Sequence, residues 1–169
     1  MNMPKMLRIL THSLPSIETR APDVVTAPTT NKYQFNSRYK QMSQSNITAE
    51  EFKQWLDGAF LGDPEDSRAY CEQTMSPNYL RFSAGGGRTD FEAAVAKVTL
   101  FRTICRKWAL NVNFLVQEGN KIAVRCTVSM IMGEGEEQNM ELMFMAERDA
   151  DGRYENVWEL SKAIDEFTL

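Results

Sequence analysis

Three charged side chains, Arg125, Glu141 and Glu159, interrupt apolar, strand-like segments in the C-terminal third of the chain. A carboxylic acid in an apolar cavity loses solvation, which raises its pKa toward neutrality. Such a group can both accept and donate a proton, as enolisation, dehydration or ring closure requires. If the sheet face that carries them lines such a cavity, Glu159 and Glu141 are candidates for a general acid/base. Arg125 would stabilise an oxyanion or neutralise one of the two acids.

The composition argues against several other chemistries. The only histidine, His12, lies in the first 45 residues, outside the predicted domain. We therefore expect neither a histidine-dependent catalytic triad nor a multi-histidine metal site. Cys71, Cys105 and Cys126 have neither metal-binding nor redox spacing, so we expect no metal and no other cofactor. A net charge of −4 without a concentrated basic patch argues against nucleic acid, and no apolar run is long enough for a membrane span.

The elements that would position these residues form an α+β domain. Capping signals predict three helix starts, at Thr48, at Asp63 and at Thr89 or Asp90. A short strand is predicted at 78–83, between the second and third helices, and a strand at 108–117 follows the third. Turn signals then separate the remaining strands, at 118–120, 133–137 and 151–152. This order predicts helices on one side of a curved antiparallel sheet.

The first 45 residues differ from the rest of the chain. They hold four of the six prolines and many Ser, Thr and Asn residues, without a persistent amphipathic period. We therefore predict a flexible tail over 1–45 and a folded domain over 46–169. The three cysteines are odd in number and widely spaced, which favours a cytoplasmic protein without disulfides. The weakly basic start of the chain leaves an organelle transit peptide as the alternative.

Three segments of the predicted domain have a recognisable pattern: Ser76-Pro77-Asn78-Tyr79-Leu80, Val124-Arg125-Cys126-Thr127 and Arg148-Asp149-Ala150-Asp151-Gly152-Arg153-Tyr154. In this order they resemble motifs of the nuclear-transport-factor-2-like superfamily, and most closely its SnoaL-like polyketide cyclases and related natural-product isomerases. The resemblance implies a cone-shaped curved antiparallel sheet, with three N-terminal helices enclosing a pocket. It also implies a homodimer that forms through the outer face of the sheet.

In the cyclases, the general acid/base lies seven positions after the hairpin glycine, which here is Glu159. Met143 and Met145 stand where the cyclases have polar residues on the preceding strand. The resemblance therefore implies acid/base chemistry on a more apolar substrate than theirs.

The sequence leaves open which face of the sheet looks inward. One interpretation puts the uniformly apolar face in the core and leaves Arg125, Glu141 and Glu159 in solvent. The other makes the mixed face the pocket lining and the apolar face a dimer interface. On the second interpretation the substrate-binding residues are Tyr79, Arg81, Phe101, Thr127, Met143, Met145, Val157 and Ser161.

Together these observations predict a cofactor-independent isomerase, cyclase or dehydratase of secondary-metabolite biosynthesis. It would act by general acid/base catalysis on a small apolar metabolite of polyketide or terpenoid type. The alternative is a non-catalytic ligand-binding or dimerisation module of the same fold.

Overall fold

The helices and strands are taken from a computed structural model that describes residues 46–165 and residue 167. The flexible tail predicted for 1–45 lies outside these described residues. The α-helices are α1 (Ala49–Phe60), α2 (Ser67–Thr74) and α3 (Phe91–Ile104), with a 3-10 turn at Pro64–Asp66. The strands are β1 (Met75–Ser83), β2 (Arg88–Asp90), β3 (Cys105–Glu118), β4 (Lys121–Met132), β5 (Gln138–Arg148) and β6 (Tyr154–Ala163).

The predicted helix starts are confirmed by their caps. Thr48 accepts a hydrogen bond from the backbone N–H of Glu51 at 3.1 Å, while the Glu51 carboxylate accepts from the Thr48 N–H at 2.7 Å. This reciprocal pair satisfies two amides that the helix itself leaves without partners. Asp90 caps α3 in the same way, by accepting from the Ala93 N–H at 2.9 Å. Asp63 caps the 3-10 turn that leads into α2.

The six strands form one curved, unclosed sheet in the order β2-β1-β6-β5-β4-β3. The last four strands are the predicted antiparallel meander. The sheet as a whole is mixed, because β6 returns beside β1 and runs parallel to it. β2 is a three-residue edge strand, too short for alternation to predict it. With its three described helices, the domain is an α+β cone.

The uniformly apolar face of β4 and β5 faces the helices and forms the core. Its buried members are Val124, Cys126, Val128, Met140, Leu142, Phe144 and Ala146. Phe52 of α1 meets Phe144 edge-on, with ring centroids 5.6 Å apart. The prediction that this face lies in the core is therefore confirmed, and the prediction that it forms a dimer interface is wrong. The expectation that Glu159 would then lie in solvent is also wrong, because Glu159 is buried. We call the helix-facing side of the sheet the inner face and the other side the outer face.

One extra residue in β6 decides which face each of its side chains occupies. At the hairpin end Arg148 pairs with Tyr154, but the next pair is Glu147 with Asn156, so Glu155 is left as a bulge. A slip of one residue turns every following side chain to the opposite face. Beyond the bulge, Phe144 lies opposite Glu159. Glu159 therefore belongs to the inner face.

Within the described part of the chain, no helix combines the length and the hydropathy needed to cross a membrane.

Candidate functional site

Glu159 is a buried carboxylate on the inner face of β6. It is 7 % exposed and forms an ion pair with the guanidinium of Arg81 on the neighbouring strand β1. The two strands place these residues together because Arg81 aligns with Val157 and Ser83 aligns with Glu159. Arg81 is therefore one diagonal step from the carboxylate, within reach of its long side chain.

A second cation lies close to this pair. Lys97 of α3 is half-buried, and its ammonium donates a hydrogen bond to the hydroxyl of Thr89 on β2 at 2.7 Å. Thr89 aligns with Arg81, so α3 brings Lys97 over the β1–β2 edge of the inner face. Burial lowers the pKa of Lys97, and the positive charge of Arg81 lowers it further.

Tyr79 is the aromatic member of this region. It is buried on β1, and burial raises the pKa of its phenol to about 12. The phenol therefore stays protonated near neutral pH and can donate a hydrogen bond but cannot act as a base. We call Tyr79, Arg81, Thr89, Lys97 and Glu159 the inner-face polar cluster.

The structure divides the predicted site residues between the two faces of the sheet. Tyr79, Arg81, Val157, Glu159 and Ser161 lie on the inner face, and Phe101 is buried on α3, stacked on Phe60 at 4.8 Å. The predicted residues on the outer face are Arg125, Thr127, Glu141, Met143 and Met145.

Arg125 and Glu141 are therefore not partners of Glu159. They form an ion pair with each other on the outer face, with Arg125 55 % and Glu141 26 % exposed at the side chain. The interpretation that the mixed face lines the pocket is wrong for β4 and β5. It treats the hairpin as regular, whereas the bulge at Glu155 moves Glu159 to the face opposite Glu141.

The outer face also carries most of the exposed large apolar side chains of the described chain. Met143 aligns with Leu160, and Met145 aligns with Trp158. On β3, the neighbour of β4, Phe114 aligns with Arg125 and Val116 aligns with Ala123. The exposed set on this face is Phe114, Val116, Met143, Met145, Trp158 and Leu160. Such a contiguous apolar surface is uncommon on a monomer.

No family model matches the chain, and no curated protein matches it in sequence. Solved structures do match it. A proposed isomerase from Rhodopseudomonas palustris superposes with a TM-score of 0.57 at 10% identity, covering 70% of this chain and 91% of that one. A proposed isomerase of the SnoaL-like family from Agrobacterium tumefaciens gives 0.52 at 15% identity, covering 68% and 97%. A proposed SnoaL-like polyketide cyclase from Jannaschia sp. gives 0.51 at 12%, covering 71% and 92%.

The chain has the nuclear-transport-factor-2-like fold. At such low identities the superpositions show the fold alone, and the chemistry must be argued from the residues of this chain.

Lys97 is the residue of the candidate site that sequence analysis missed. It lies within the apolar stripe of α3, three residues after Ala94 and four before Phe101, both buried. A lysine inside a buried stripe indicates a candidate site residue, because lysine is rarely buried without a partner.

An open cleft of about 410 Å³ lies elsewhere on the domain. Its lining residues are Glu72, Met75, Pro77, Phe91, Glu92 and Arg153. Arg68 pairs with Glu92 at 2.5 Å and with Glu72 at 3.8 Å, so the acidic groups of the cleft have a cation already. In the part of the chain that the structure describes, no three His, Cys, Asp or Glu side chains are grouped to hold a metal ion.

Proposed function

We propose that the protein is a cofactor-independent isomerase, cyclase or dehydratase that moves a proton on a small apolar metabolite of polyketide or terpenoid type. The observation that supports this is the buried Glu159 carboxylate, paired with Arg81 on the inner face of a curved sheet. The likeness to proposed isomerases and a proposed polyketide cyclase supports the same reaction class. The free cysteines Cys71, Cys105 and Cys126 suit the cytoplasmic location that we propose.

Glu159 is the base in this proposal. Its carboxylate, held by Arg81, can take a proton from a carbon next to a carbonyl. The C–H bonding pair then forms a carbon–carbon double bond, and the carbonyl π pair moves to oxygen. Glu159 returns the proton at a second position, so isomerisation needs no oxidant, reductant or other co-reactant. Arg81 and Lys97 would stabilise the negative charge that develops on oxygen.

The proposal is tested by proton exchange with a surrogate ketone. Deuterium incorporation into 2-tetralone in D2O is followed by proton NMR with wild-type protein, with E159Q and with E141Q. Glu141 is the matched control, because it is a carboxylate on the opposite face of the same sheet. Circular dichroism first establishes that both variants are folded.

We expect the wild type and E141Q to accelerate exchange equally, and E159Q to lose about a hundredfold or more of that acceleration. Exchange no faster with wild-type protein than in buffer would contradict the proposal. Equal rates for E159Q and the wild type would contradict it as well.

A second candidate function, a non-catalytic module that dimerises, is favoured by the exposed outer face. We propose that this face binds a second copy of the chain. Its six large apolar side chains are about half exposed, which corresponds to roughly 600 Å². A standard interface buries about 800 Å² on each partner. The neighbouring Arg125–Glu141 pair is self-complementary, since a two-fold axis would set each arginine against the other copy's glutamate.

The dimer is tested by sedimentation velocity of wild-type, L160E and L61E proteins. Leu61 is the control, because it is a comparably exposed leucine at the end of α1, away from the sheet. We expect dimers for the wild type and L61E, and monomers for L160E. A monomeric wild type, or a dimeric L160E, would refute pairing through this face. Dimerisation without ketone exchange would favour the module over the enzyme.

A further inference from the structure

Trp55 of α1 carries a buried hydrogen-bond donor that has no acceptor in the described part of the chain. The residue is 7 % exposed, and among the described residues no acceptor lies within reach of its indole Nε1–H. Buried polar groups in native proteins are nearly always paired, so an exception calls for a physical reason. Trp108 shows the usual arrangement, because its Nε1–H donates to the Asp57 carboxylate at 2.8 Å.

The Trp55 indole ring lies one aromatic ring away from Glu159. It stacks on Tyr154 with ring centroids 3.9 Å apart, and it meets Phe144 edge-on at 6.3 Å. Phe144 is the cross-strand partner of Glu159. Directly opposed residues in an antiparallel pair have Cα atoms about 5 Å apart and side chains on one face. Trp55 and Glu159 are therefore both neighbours of Phe144 on the inner face.

We infer that the Trp55 Nε1–H binds the carbonyl oxygen of an aromatic or polycyclic ketone. This inference rests on the proposed function and specifies its ligand. An indole N–H can only donate, so its partner must be an acceptor oxygen or nitrogen. Aromatic walls around a single donor fit an apolar ring system that carries one neutral acceptor. A donor at the carbonyl oxygen also stabilises the charge that appears there when Glu159 removes a neighbouring proton.

The three tryptophans of the full chain make this donor directly observable by NMR. Trp55, Trp108 and Trp158 give three indole N–H signals, which W55F, W108F and W158F assign. The probes are 2-acetylnaphthalene and 2-isopropenylnaphthalene, which have the same shape but differ in the carbonyl oxygen. We expect the ketone to move the Trp55 signal downfield, with smaller changes at the other two. The isosteric alkene should not produce this shift.

Affinities of the two probes give an independent readout. The wild type and W108F should bind the ketone about tenfold more tightly than the alkene, and W55F should bind both equally. Equal binding by wild-type protein, or a Trp55 signal that does not respond to the ketone, would overturn the inference and leave the proposed proton transfer by Glu159 standing. An unresponsive Trp55 signal would mean that the N–H faces the ring of Phe52 or Phe144 instead. Failure of both probes to bind would contradict both the apolar ligand of the proposed function and the donor.

Discussion

Removal of the Arg81 guanidinium should destabilise the protein far more than removal of the Arg125 guanidinium. Both arginines form an ion pair with a glutamate across neighbouring strands of one sheet. The side-chain exposures are 25% and 8% for Arg81 and Glu159, against 55% and 26% for Arg125 and Glu141. Methionine replaces either side chain with an uncharged one of similar length.

The expected magnitudes follow from these exposures. Breaking a buried pair costs about 3–5 kcal/mol, because the remaining charge is left unpaired. Arg81 is partly exposed, so we expect about 3 kcal/mol for R81M, at the lower end of that range. An exposed pair contributes less than about 1 kcal/mol, which is the expected cost of R125M. The double variant R81M/E159L has no unpaired buried carboxylate, so its free energy of unfolding should return to within about 1 kcal/mol of the wild-type value.

Urea unfolding followed by tryptophan fluorescence measures each free energy of unfolding. The m value should be unchanged, so that the midpoint reports stability alone. If R81M and R125M differed by less than about 1 kcal/mol, the burial argument for Glu159 would be refuted. If R81M/E159L stayed as unstable as R81M, the loss would come from the packing of the arginine stem rather than from a stranded charge.

Three further predictions concern stability. Burial raises the thiol pKa to about 11 for Cys71 and about 12 for Cys126. Above pH 9 the unfolded chain therefore loses thiol protons that the folded chain keeps, and stability should fall by about 1.4 kcal/mol per pH unit for each thiol until the folded pKa is reached. C126A should reduce the slope of unfolding free energy between pH 9.5 and 11 by that amount, and an unchanged slope would contradict it. G58A should cost about 1–3 kcal/mol, since its Cβ would lie 2.6 Å from the Tyr70 ring, and a wild-type urea midpoint would contradict the clash. T48A should lower the thermal midpoint through the loss of about 1 kcal/mol of capping energy, and no change would mean that the cap contributes nothing.

Local signals were sufficient to predict most elements. Helix starts depend on side chains within three residues of the cap, as at Thr48 and Asp90, so sequence alone identifies them. The meander was predictable because glycine-containing turns separate strongly apolar strands; Gly152, with φ +83°, forms one of these turns. β2 was not predictable, since three residues are too few to show a period.

The candidate site was predictable only in part, for a physical reason. Glu159 could be selected because a charge in an apolar strand is unusual. Arg81 was predicted to bind substrate, but it could not be identified as the ion-pair partner of Glu159, because β1 and β6 are far apart in the chain and their parallel pairing has no local signal. Arg125, the predicted partner, lies on the other face.

The sequence by itself determined which side chains share a face within each strand, because alternate residues of a strand point to opposite sides. Only the tertiary structure decided which face of one strand lies on the same side of the sheet as a given face of the next strand. A single extra residue, Glu155, shifts the β5–β6 register by one, so that Glu159 aligns with Phe144 instead of Met143. That shift takes the carboxylate from an exposed methionine surface to the buried inner face, beside Arg81. Such a shift depends on the contacts that the whole sheet makes with its helices, and no local pattern in β6 encodes it.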